Sequence, residues 1–571
     1  MKILDLLKWL LNLTIAILFI LSISLVIKQP VNTLVSPIAM LLLLGEGILL
    51  RFVLICTDES ISPLAALFSI LVLAFFLSRG AVLSLLPGYF DPDLLPHAAC
   101  DAAKCFPSQY SFSSGDFTMA ALYVLLGSVV FWLGAFLVAR LSRQPEKGSD
   151  CVHSLFIDCS KLNIIMPAVF AFYALFNLCI LHGSMSRLLP LFTFASHFIN
   201  VLFIVLLFIV VGIASWQQQS TTAKISLVSW VTAIYILESI TGTKGIGLQF
   251  LFFWLLLLLM NRQYAQLTRK TFKLASICLL VCLLLYKPAA LCRSYRDIPH
   301  APSTTELLIN SLAGKVMGLP PSTETTASEQ TSATEKTVTN PSKDKNPEKS
   351  IVTYPPAKPA KPATTIETSQ QQTSYAAMAS LGNIYKHSSL FYLFSLRLNG
   401  MDPLVAITSG KTRQPEDIGM DCRYCLKSFI DMFIPKAFTG RHKLFPEAEI
   451  GTYRLSAYLY YGYTMEWIRN NYYSNMWTMW GINYALFGFW GGLLVMGVLG
   501  GVMSYLLVKC NTCKFMDNTL VRVFSLYACS KLLLSFGYED DLFVIINLAV
   551  TWGLVIAVTY KWSSRSIYSH D

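Results

Sequence analysis

Residues 117–139 of this chain read FTMAALYVLLGSVVFWLGAFLVA, an apolar run that contains no charged side chain. A helix of about 20 mostly apolar residues is long enough to cross the hydrocarbon core of a bilayer. The run therefore predicts a membrane-spanning helix. Arg140 and Arg143 follow it directly, and basic residues of this kind are typical of the cytoplasmic end of such a helix.

Runs of the same kind recur along the chain, which has 571 residues and is 54% hydrophobic but only 13% charged. We predict an all-α polytopic membrane protein with about twelve transmembrane helices, since each run has spanning length. The N-terminal apolar run, which ends at Ile27, is not followed by a small-residue cleavage site, so we interpret it as a retained helix and not as a signal peptide. The other predicted spans are Leu10–Ile27, Leu34–Cys56, Ser62–Leu86, Asn163–His182, Leu191–Ser215, Lys224–Ile240, Ile246–Met260, Phe272–Tyr286, Ile482–Val508, Leu520–Phe536 and Leu542–Tyr560.

Basic residues in the short loops orient these helices. When the spans are counted, the basic loops all fall on one side of the membrane: 140–161, 262–273, 509–514 and 561–565. By the positive-inside rule that side is cytoplasmic, and both termini lie there. The net charge of +11 is therefore explained by membrane orientation, and we predict no nucleic-acid partner.

The predicted organisation has five parts. An N-terminal transmembrane bundle of about nine helices at 1–286 is followed by the start of an external loop at 287–319. Residues 320–375 are rich in Thr, Ser, Pro and Lys and too poor in apolar residues to fold, which predicts a disordered tether. Residues 376–475 mix aromatic, aliphatic and basic residues, which predicts short amphipathic helices on the outer membrane face. The C-terminal transmembrane helices occupy 476–571.

Charged residues inside the predicted spans include Glu46, Arg51, Arg79 and Glu238. Because a charge is costly in lipid, we expect these side chains to face a cavity or each other. The glycines of 488–501 predict close helix packing. The Tyr and Trp residues of 453–480 favour an aromatic belt at the membrane interface, although a sugar-stacking surface also fits them.

The fourteen cysteines follow no single framework. In the predicted topology two loops face an oxidising compartment, which favours a local disulfide at Cys100–Cys105 or Cys422–Cys425. Cys510 and Cys513 form a second CxxC, but in the predicted topology it lies on the opposite side of the membrane from Cys422 and Cys425. A single CxxC is a weak zinc signal, and no nearby CxxC or histidine pair completes a site, so we predict neither a metal nor a cofactor.

Cationic clusters near the outer face are the candidate sites, because motifs for nucleotide binding, zinc proteases and serine hydrolases are absent from the sequence. In Thr241-Gly-Thr-Lys244-Gly-Ile-Gly, free backbone N–H groups and one cation suit an anion such as phosphate. A turn with a snorkelling lysine fits the same residues. Arg397-Leu-Asn-Gly-Met-Asp402 offers a planar guanidinium to a diphosphate or to a lipid headgroup.

A third cluster lies at 433–449. It places Lys436, Arg441 and His442 between two prolines and ahead of the carboxylates Glu447 and Glu449. Such a loop fits an anionic group with a nearby acid or base. A basic patch that binds anionic lipid fits it as well.

In their order these segments resemble the O-antigen polymerase family, the Wzy-type enzymes of bacterial surface polysaccharide assembly. The resemblance covers the chain from Lys224 onward. Lysine stands at 244 and 436 where the family has arginine, and the 320–375 tether is an insertion. The similar segments are the glycine-flanked Lys244 before an apolar span, Arg397-Leu-Asn in a large external loop, Ile434-Pro435-Lys436, and Tyr484-Ala-Leu-Phe-Gly488-Phe-Trp-Gly491-Gly492 at the start of a return helix.

The resemblance implies a GT-C-like bundle that joins undecaprenyl-diphosphate-linked oligosaccharide units at the periplasmic face of the bacterial inner membrane. A sugar hydroxyl of one unit attacks, and fixed cations stabilise the departing diphosphate without a metal. A flippase and a chain-length regulator are implied partners. The implied diphosphate ligands are Lys244, Arg397, Lys436 and Arg441, and the implied bases are His442, Glu447 and Glu449, in that order of preference.

Three other interpretations stay open. One is a non-catalytic membrane scaffold for a polysaccharide synthase complex, which would tolerate the loss of Arg397 and Arg441. An O-antigen ligase or another lipid-linked glycosyltransferase has a similar bundle and a similar external loop. A flippase or transporter of the same lipid-linked sugar should line its spans with cations and keep its loops short. Here the cations concentrate in one external loop, which favours an enzyme that acts on one side of the membrane.

Overall fold

The computed structural model describes residues 3–28, 35–86, 112–142, 399–411, 420–433, 477–510, 518–535 and 537–568, with scattered positions within 166–256 and 444–468. Within those residues all regular structure is helical. In chain order the elements are α1 Ile3–Lys28, α2 Pro37–Cys56, α3 Ser62–Val72, a π-helical turn Leu73–Leu77, α4 Ser78–Leu85, α5 Ser114–Leu141, α6 Met401–Thr408, α7 Cys422–Phe433, α8 Thr478–Cys510, α9 Asn518–Leu534 and α10 Tyr538–Tyr568.

Six helical stretches in the described part are long and apolar enough to cross a membrane: Leu4–Ile27, Pro37–Cys56, Ser62–Leu85, Ser114–Leu141, Thr478–Lys509 and Tyr538–Ala557. They confirm the first four predicted spans, the tenth and the twelfth. Helix α9 forms where the eleventh span is predicted and has 17 residues. The other five spans fall between 163 and 286, where only scattered helical positions are described, so the count of twelve stays a prediction.

Local sequence signals explain where two of these helices begin. At α2 the Ser36 hydroxyl accepts a hydrogen bond from the N–H of Ala39 at 3.0 Å, and Pro37 occupies the first helical position. At α5 the Ser113 hydroxyl accepts from the N–H of Asp116, whose carboxylate accepts from the N–H of Ser113 in return. This reciprocal capping box satisfies backbone donors at the end of the helix.

Glycines set the contact between α5 and α8. A Cβ on Gly134 would collide with the backbone carbonyl of Gly497, and a Cβ on Gly500 would collide with that of Phe131. Only residues without a side chain allow the two backbones to come this close. The predicted packing role of the glycines in 488–501 is confirmed for Gly497 and Gly500.

Aromatic side chains fill the space between α3, α5 and α8. Phe68 stacks on Phe131 with ring centroids 4.7 Å apart, and Trp480 lies 4.8 Å from Phe76. Trp477 and Trp480 are fully buried, and their indole N–H groups donate to the carbonyls of Thr452 and Val124. The prediction of an interfacial belt is therefore wrong for these two tryptophans, which belong to the core.

Helices α5 and α8 run in the same direction, because Tyr123 lies beside Gly492 and Val138 lies beside Gly501. Two parallel spans require an odd number of membrane crossings between them, which the five predicted spans satisfy. The end at which α4 finishes and α5, α8 and α10 begin also holds α6 and α7. We call it the loop end of the bundle.

Candidate site at the loop end

A buried ion pair fixes the loop segment before α6 to the bundle. Arg79 of α4 donates to both carboxylate oxygens of Asp402, with Nε–Oδ1 at 3.0 Å and Nη2–Oδ2 at 2.5 Å. The two side chains are 2% and 0% exposed. A paired, hydrogen-bonded arrangement is the form in which a buried charge is tolerated. We expected Arg79 to face a cavity or another of the charges within the spans; its partner is instead Asp402, from the segment predicted as the external loop.

The backbone next to Arg79 is shaped for this contact. The π-helical turn Leu73–Leu77 precedes Arg79, and the carbonyl of Phe75 accepts from the N–H of Gly400 at 3.4 Å. Asn399 accepts through its side-chain oxygen from the N–H of Asp402 at 3.0 Å, which caps the start of α6. Single π-turns occur frequently at functional sites, and this one marks where the loop enters the bundle.

Helix α6 extends from this ion pair toward the start of α5. Residues 401–406 are buried on all sides, so the short helix is inserted among the spans and not exposed to water. Just after its C-terminal end, Lys411 pairs with Asp116 at 2.6 Å, and these side chains are partly exposed. The segment 399–411 is therefore held at one end by a buried pair and at the other by a partly exposed one.

A second polar cluster surrounds Glu539 in the first turn of α10. The Glu539 carboxylate accepts from the N–H of Thr452 at 2.5 Å, and the carbonyl of Thr452 accepts from the Trp477 indole. The backbone N–H groups of Trp477 and Thr478 both donate to the carbonyl of Ser535, which follows α9. Contacts from Thr452 thus join a loop segment to the beginnings of α8 and α10.

Helix α7 holds the ends of the basic loop 434–443 together. The Asp431 carboxylate accepts from the N–H groups of Leu444 and Phe445 at 3.1 and 3.3 Å. Seven residues earlier on α7, the Tyr424 hydroxyl donates to the carbonyl of Ile450 at 2.5 Å. Because α7 also packs on α10, the base of the basic loop is fixed to the loop end of the bundle.

The cysteines of α7 are free thiols in the structure, so the expected Cys422–Cys425 disulfide is absent there. Cys425 turns inward and has Glu539 as a neighbour, whereas Cys422 is exposed at the start of the helix. Burial, with the nearby carboxylates of Glu539 and Asp421, raises the pKa of the Cys425 thiol well above its usual range. Partial burial and Asp421 also raise the pKa of the Cys422 thiol. Cys100 and Cys105 lie outside the described residues.

The other charges within spans have separate surroundings. Arg51 donates from Nε to the side-chain oxygen of Asn12 at 3.0 Å. Glu46 is fully buried in α2, and Ser128 of α5 is a polar neighbour. Glu238 lies outside the described residues. We expected a cavity or another of these charges beside Arg51, and the hydrogen-bond partner of its Nε is a neutral amide.

Every site residue proposed from the sequence lies outside the described residues: Lys244, Arg397, Lys436, Arg441, His442, Glu447 and Glu449. Described segments nevertheless border them. Asn399 is two positions from Arg397. Leu444 directly follows the 434–443 segment, which contains Arg441 and His442. Their assignment stays a prediction.

Asp402 and Glu539 are the polar residues that sequence reasoning did not select. Asp402 lies within the quoted Arg397 segment, and the cost of placing Arg79 in lipid was a signal that an acidic partner must exist. Glu539 belongs to Tyr538-Glu-Asp-Asp, an acidic turn between two predicted spans. In both cases the sequence shows the carboxylate, but it does not indicate which group the carboxylate contacts.

The described residues include no group of three or more His, Cys, Asp or Glu side chains that is arranged to hold a metal ion. What they do offer is a set of carboxylates that accept hydrogen bonds from protein donors, among them Asp431, which holds the residues that follow the basic segment 434–443. Comparison of the chain with family models, with curated proteins and with solved structures yields no match.

Proposed function

We propose that this protein polymerises lipid-diphosphate-linked oligosaccharide units into a surface polysaccharide at the periplasmic face of the bacterial inner membrane. The order of its sequence segments is the starting point: a glycine-flanked cation, a large external loop with Arg397, Ile434-Pro435-Lys436, and the Tyr484–Gly492 return helix. We further propose that about twelve helices form a GT-C-like bundle around the site.

The observation that carries the proposal is the fixed base of the 434–443 loop. Asp431 holds Leu444 and Phe445 against α7, so the two residues that flank the basic segment, Phe433 and Leu444, are both held at the loop end of the bundle. A loop whose ends are already held loses less conformational entropy when it closes on a ligand. This supports an enzyme that gathers cations around a leaving diphosphate on one side of the membrane.

In the proposed reaction a sugar hydroxyl of one unit attacks the anomeric carbon of the growing chain. The glycosidic bond forms as the bond to undecaprenyl diphosphate breaks, and the base takes the hydroxyl proton. Arg397, Arg441, Lys244 and Lys436 would share the negative charge that develops on the diphosphate, which requires no metal.

The test is the surface polysaccharide ladder of a deletion strain complemented with wild type, Arg397→Ala, Arg441→Ala or Asp431→Ala, at matched membrane levels. Wild type should restore the ladder, and the three variants should leave mainly single repeat units on the acceptor. The expected loss is on the order of a hundredfold in polymer for a removed charge-stabilising donor. Arg423→Ala is the matched control, because Arg423 is an exposed cation on α7 outside the basic loop.

Two results would contradict the proposal. If deletion also abolishes single units on the acceptor, a ligase or a flippase replaces the polymerase. If all three variants restore a full ladder, the assignment of the basic loop and Arg397 is wrong.

A further inference from the structure

Two cations lie on the outside of the α1–α2 pair, at the end of the bundle opposite the loop end. The hydroxyl oxygens of Ser36 and Thr118 are 2.7 Å apart, so α2 begins beside the start of α5, at the loop end. Arg51 is five residues before Cys56, where α2 finishes at the opposite end. This region is therefore remote from α6 and α7.

The register of α1 against α2 brings Lys8 close to Arg51. A Cβ on Gly47 would lie 3.1 Å from Cγ1 of Ile15. One turn further along α2, Nε of Arg51 donates to the side-chain oxygen of Asn12 at 3.0 Å. Positions on α1 thus decrease as those on α2 increase, and Lys8 is one turn beyond Asn12 on the same face of α1.

The described part of the protein does not neutralise these two charges. The hydrogen-bond partner of Arg51 is a neutral amide, and its Nη1 has no partner among the described residues. Neither Lys8 nor Arg51 forms an ion pair with a described carboxylate. Asn12 is exposed and both cations are partly exposed, so the group opens on the outside of the helix pair and not into the core.

The surface around the two cations is apolar. Both helices are candidate membrane spans, Leu4–Ile27 and Pro37–Cys56, and exposed apolar side chains flank the cations: Trp9, Leu13, Ile48, Phe52 and Ile55. A charge in lipid is costly, and long basic side chains lower that cost by extending to the headgroup layer. At about 1.5 Å per residue, Arg51 is about 8 Å from the end of α2, which brings its guanidinium close to that layer.

We infer that Arg51, Lys8 and Asn12 bind the phosphate group of a membrane phospholipid. A phosphodiester supplies both acceptor oxygens and a negative charge, and a guanidinium fork matches it closely. Basic pockets between transmembrane helices bind phospholipid headgroups in this way. Asp5, exposed one turn before Lys8, suits the ammonium of an ethanolamine headgroup, and the acyl chains lie on the flanking apolar side chains. The inference does not depend on the proposed function.

The test is binding of dioleoylphosphatidylethanolamine to the purified full-length protein in octaethylene glycol dodecyl ether, measured by native mass spectrometry. This lipid is zwitterionic, so the general attraction of a basic protein for anionic lipid does not contribute. Arg51→Met removes the guanidinium and should weaken binding about tenfold, the loss of a charge-assisted hydrogen bond. Added lipid should raise the melting temperature of the wild type, and the rise should be smaller in the variant.

Arg140→Met is the matched control, because Arg140 is an exposed cation in the last turn of α5, at the same end of the bundle but on another helix. It should leave the affinity unchanged. Equal affinity of the wild type and Arg51→Met, or an equal loss in Arg140→Met, would overturn the inference.

Two further probes test the ligand chemistry. Dioleoylglycerol has the same acyl chains without phosphate, and it should bind at least tenfold more weakly than the phospholipid. Equal binding would show that only the apolar surface is used and would overturn the phosphate assignment. Inorganic phosphate should not raise the melting temperature, and equal stabilisation by it would overturn the assignment to a lipid.

Discussion

The glycine contact between α5 and α8 and the loop end of the same bundle are stabilised in opposite ways. Along the contact, Gly134, Gly497 and Gly500 bring two backbones together, and the determining property is the absence of a side chain. At the loop end, Arg79–Asp402 and Glu539–Thr452 are polar contacts made in a buried setting. Since apolar burial alone does not distinguish a neighbouring helix from lipid, membrane proteins depend on both devices.

The comparison shows a division of roles. The glycine contact depends on size alone and joins two spans into a scaffold. The loop-end contacts depend on charge and donor geometry and attach segments of the predicted external loop to that scaffold. A substitution in the glycine contact should destabilise the fold whatever the charge of the new side chain. The effect of a substitution at the loop end should depend strongly on whether an unpaired buried charge remains.

The largest expected effect is at the buried ion pair. Arg79→Ala leaves the Asp402 carboxylate buried without its cation and should lower the free energy of unfolding by about 3–5 kcal/mol. The loss should appear in the denaturant or thermal midpoint of the full chain in detergent. The double variant Arg79→Met/Asp402→Leu removes both charges and should recover most of that loss.

The partly exposed pair at the other end of α6 is the control for this prediction. Lys411 is 38% exposed in its pair with Asp116, so Lys411→Ala should cost only about 0.2–1 kcal/mol. If Arg79→Ala were as mild as Lys411→Ala, the description of Arg79–Asp402 as the anchor of the loop segment would be refuted.

The next effect in size concerns the glycine contact. Gly500→Ala places a Cβ against the backbone carbonyl of Phe131, which cannot rotate away, and should cost about 1–3 kcal/mol through a shift of the helices. Gly553→Ala on α10 is the matched control, because its Cβ would meet nothing within 4 Å. That variant should be neutral or stabilising by about 0.5 kcal/mol, since alanine favours the helix. Similar losses in the two variants would contradict the assignment of the Gly500→Ala loss to close packing, because helix propensity favours alanine at both positions.

A smaller effect is expected at the kink of α8. Gly488 has φ 67° and ψ −169°, which only glycine adopts without strain, and a Cβ there would meet no neighbour within 4 Å. Gly488→Ala should therefore cost about 1–2 kcal/mol through backbone strain alone. The comparison with Gly500→Ala separates backbone strain from steric collision. Only the Gly500 variant should change the distance between α5 and α8, because only its Cβ meets the other helix. A cysteine cross-link across that contact measures the change.

The scaffold could be predicted from the sequence because its signals are local. An apolar run such as 117–139 fixes a span by its length, and the glycine cluster before Gly501 indicates a close helix contact. Neither signal depends on distant parts of the chain. The identity of the facing helix was not predicted, since nothing in the glycine pattern specifies α5.

The loop end was predicted less well because its contacts join distant parts of the chain. Arg79 and Asp402 are 323 residues apart, and no periodic pattern connects an arginine in a span to an aspartate in a predicted external loop. Trp477 was assigned to an interfacial belt because the sequence around a belt tryptophan does not differ from that around a core tryptophan. Its indole donates to the carbonyl of Thr452, a contact between segments that the local sequence does not reveal.

The smallest expected effect distinguishes the two thiols of α7 without altering stability. The thiolate is the form that reacts with an alkylating reagent, so a thiol whose pKa is raised reacts slowly at neutral pH and faster as the pH increases. Cys425 combines a strongly raised pKa with burial, whereas Cys422 is exposed, so iodoacetamide should label Cys422 well before Cys425 at pH 8. Peptide mass spectrometry of the folded protein gives both rates, and unfolding should equalise them. Resistance of both cysteines until a reductant is added would instead reveal a Cys422–Cys425 disulfide.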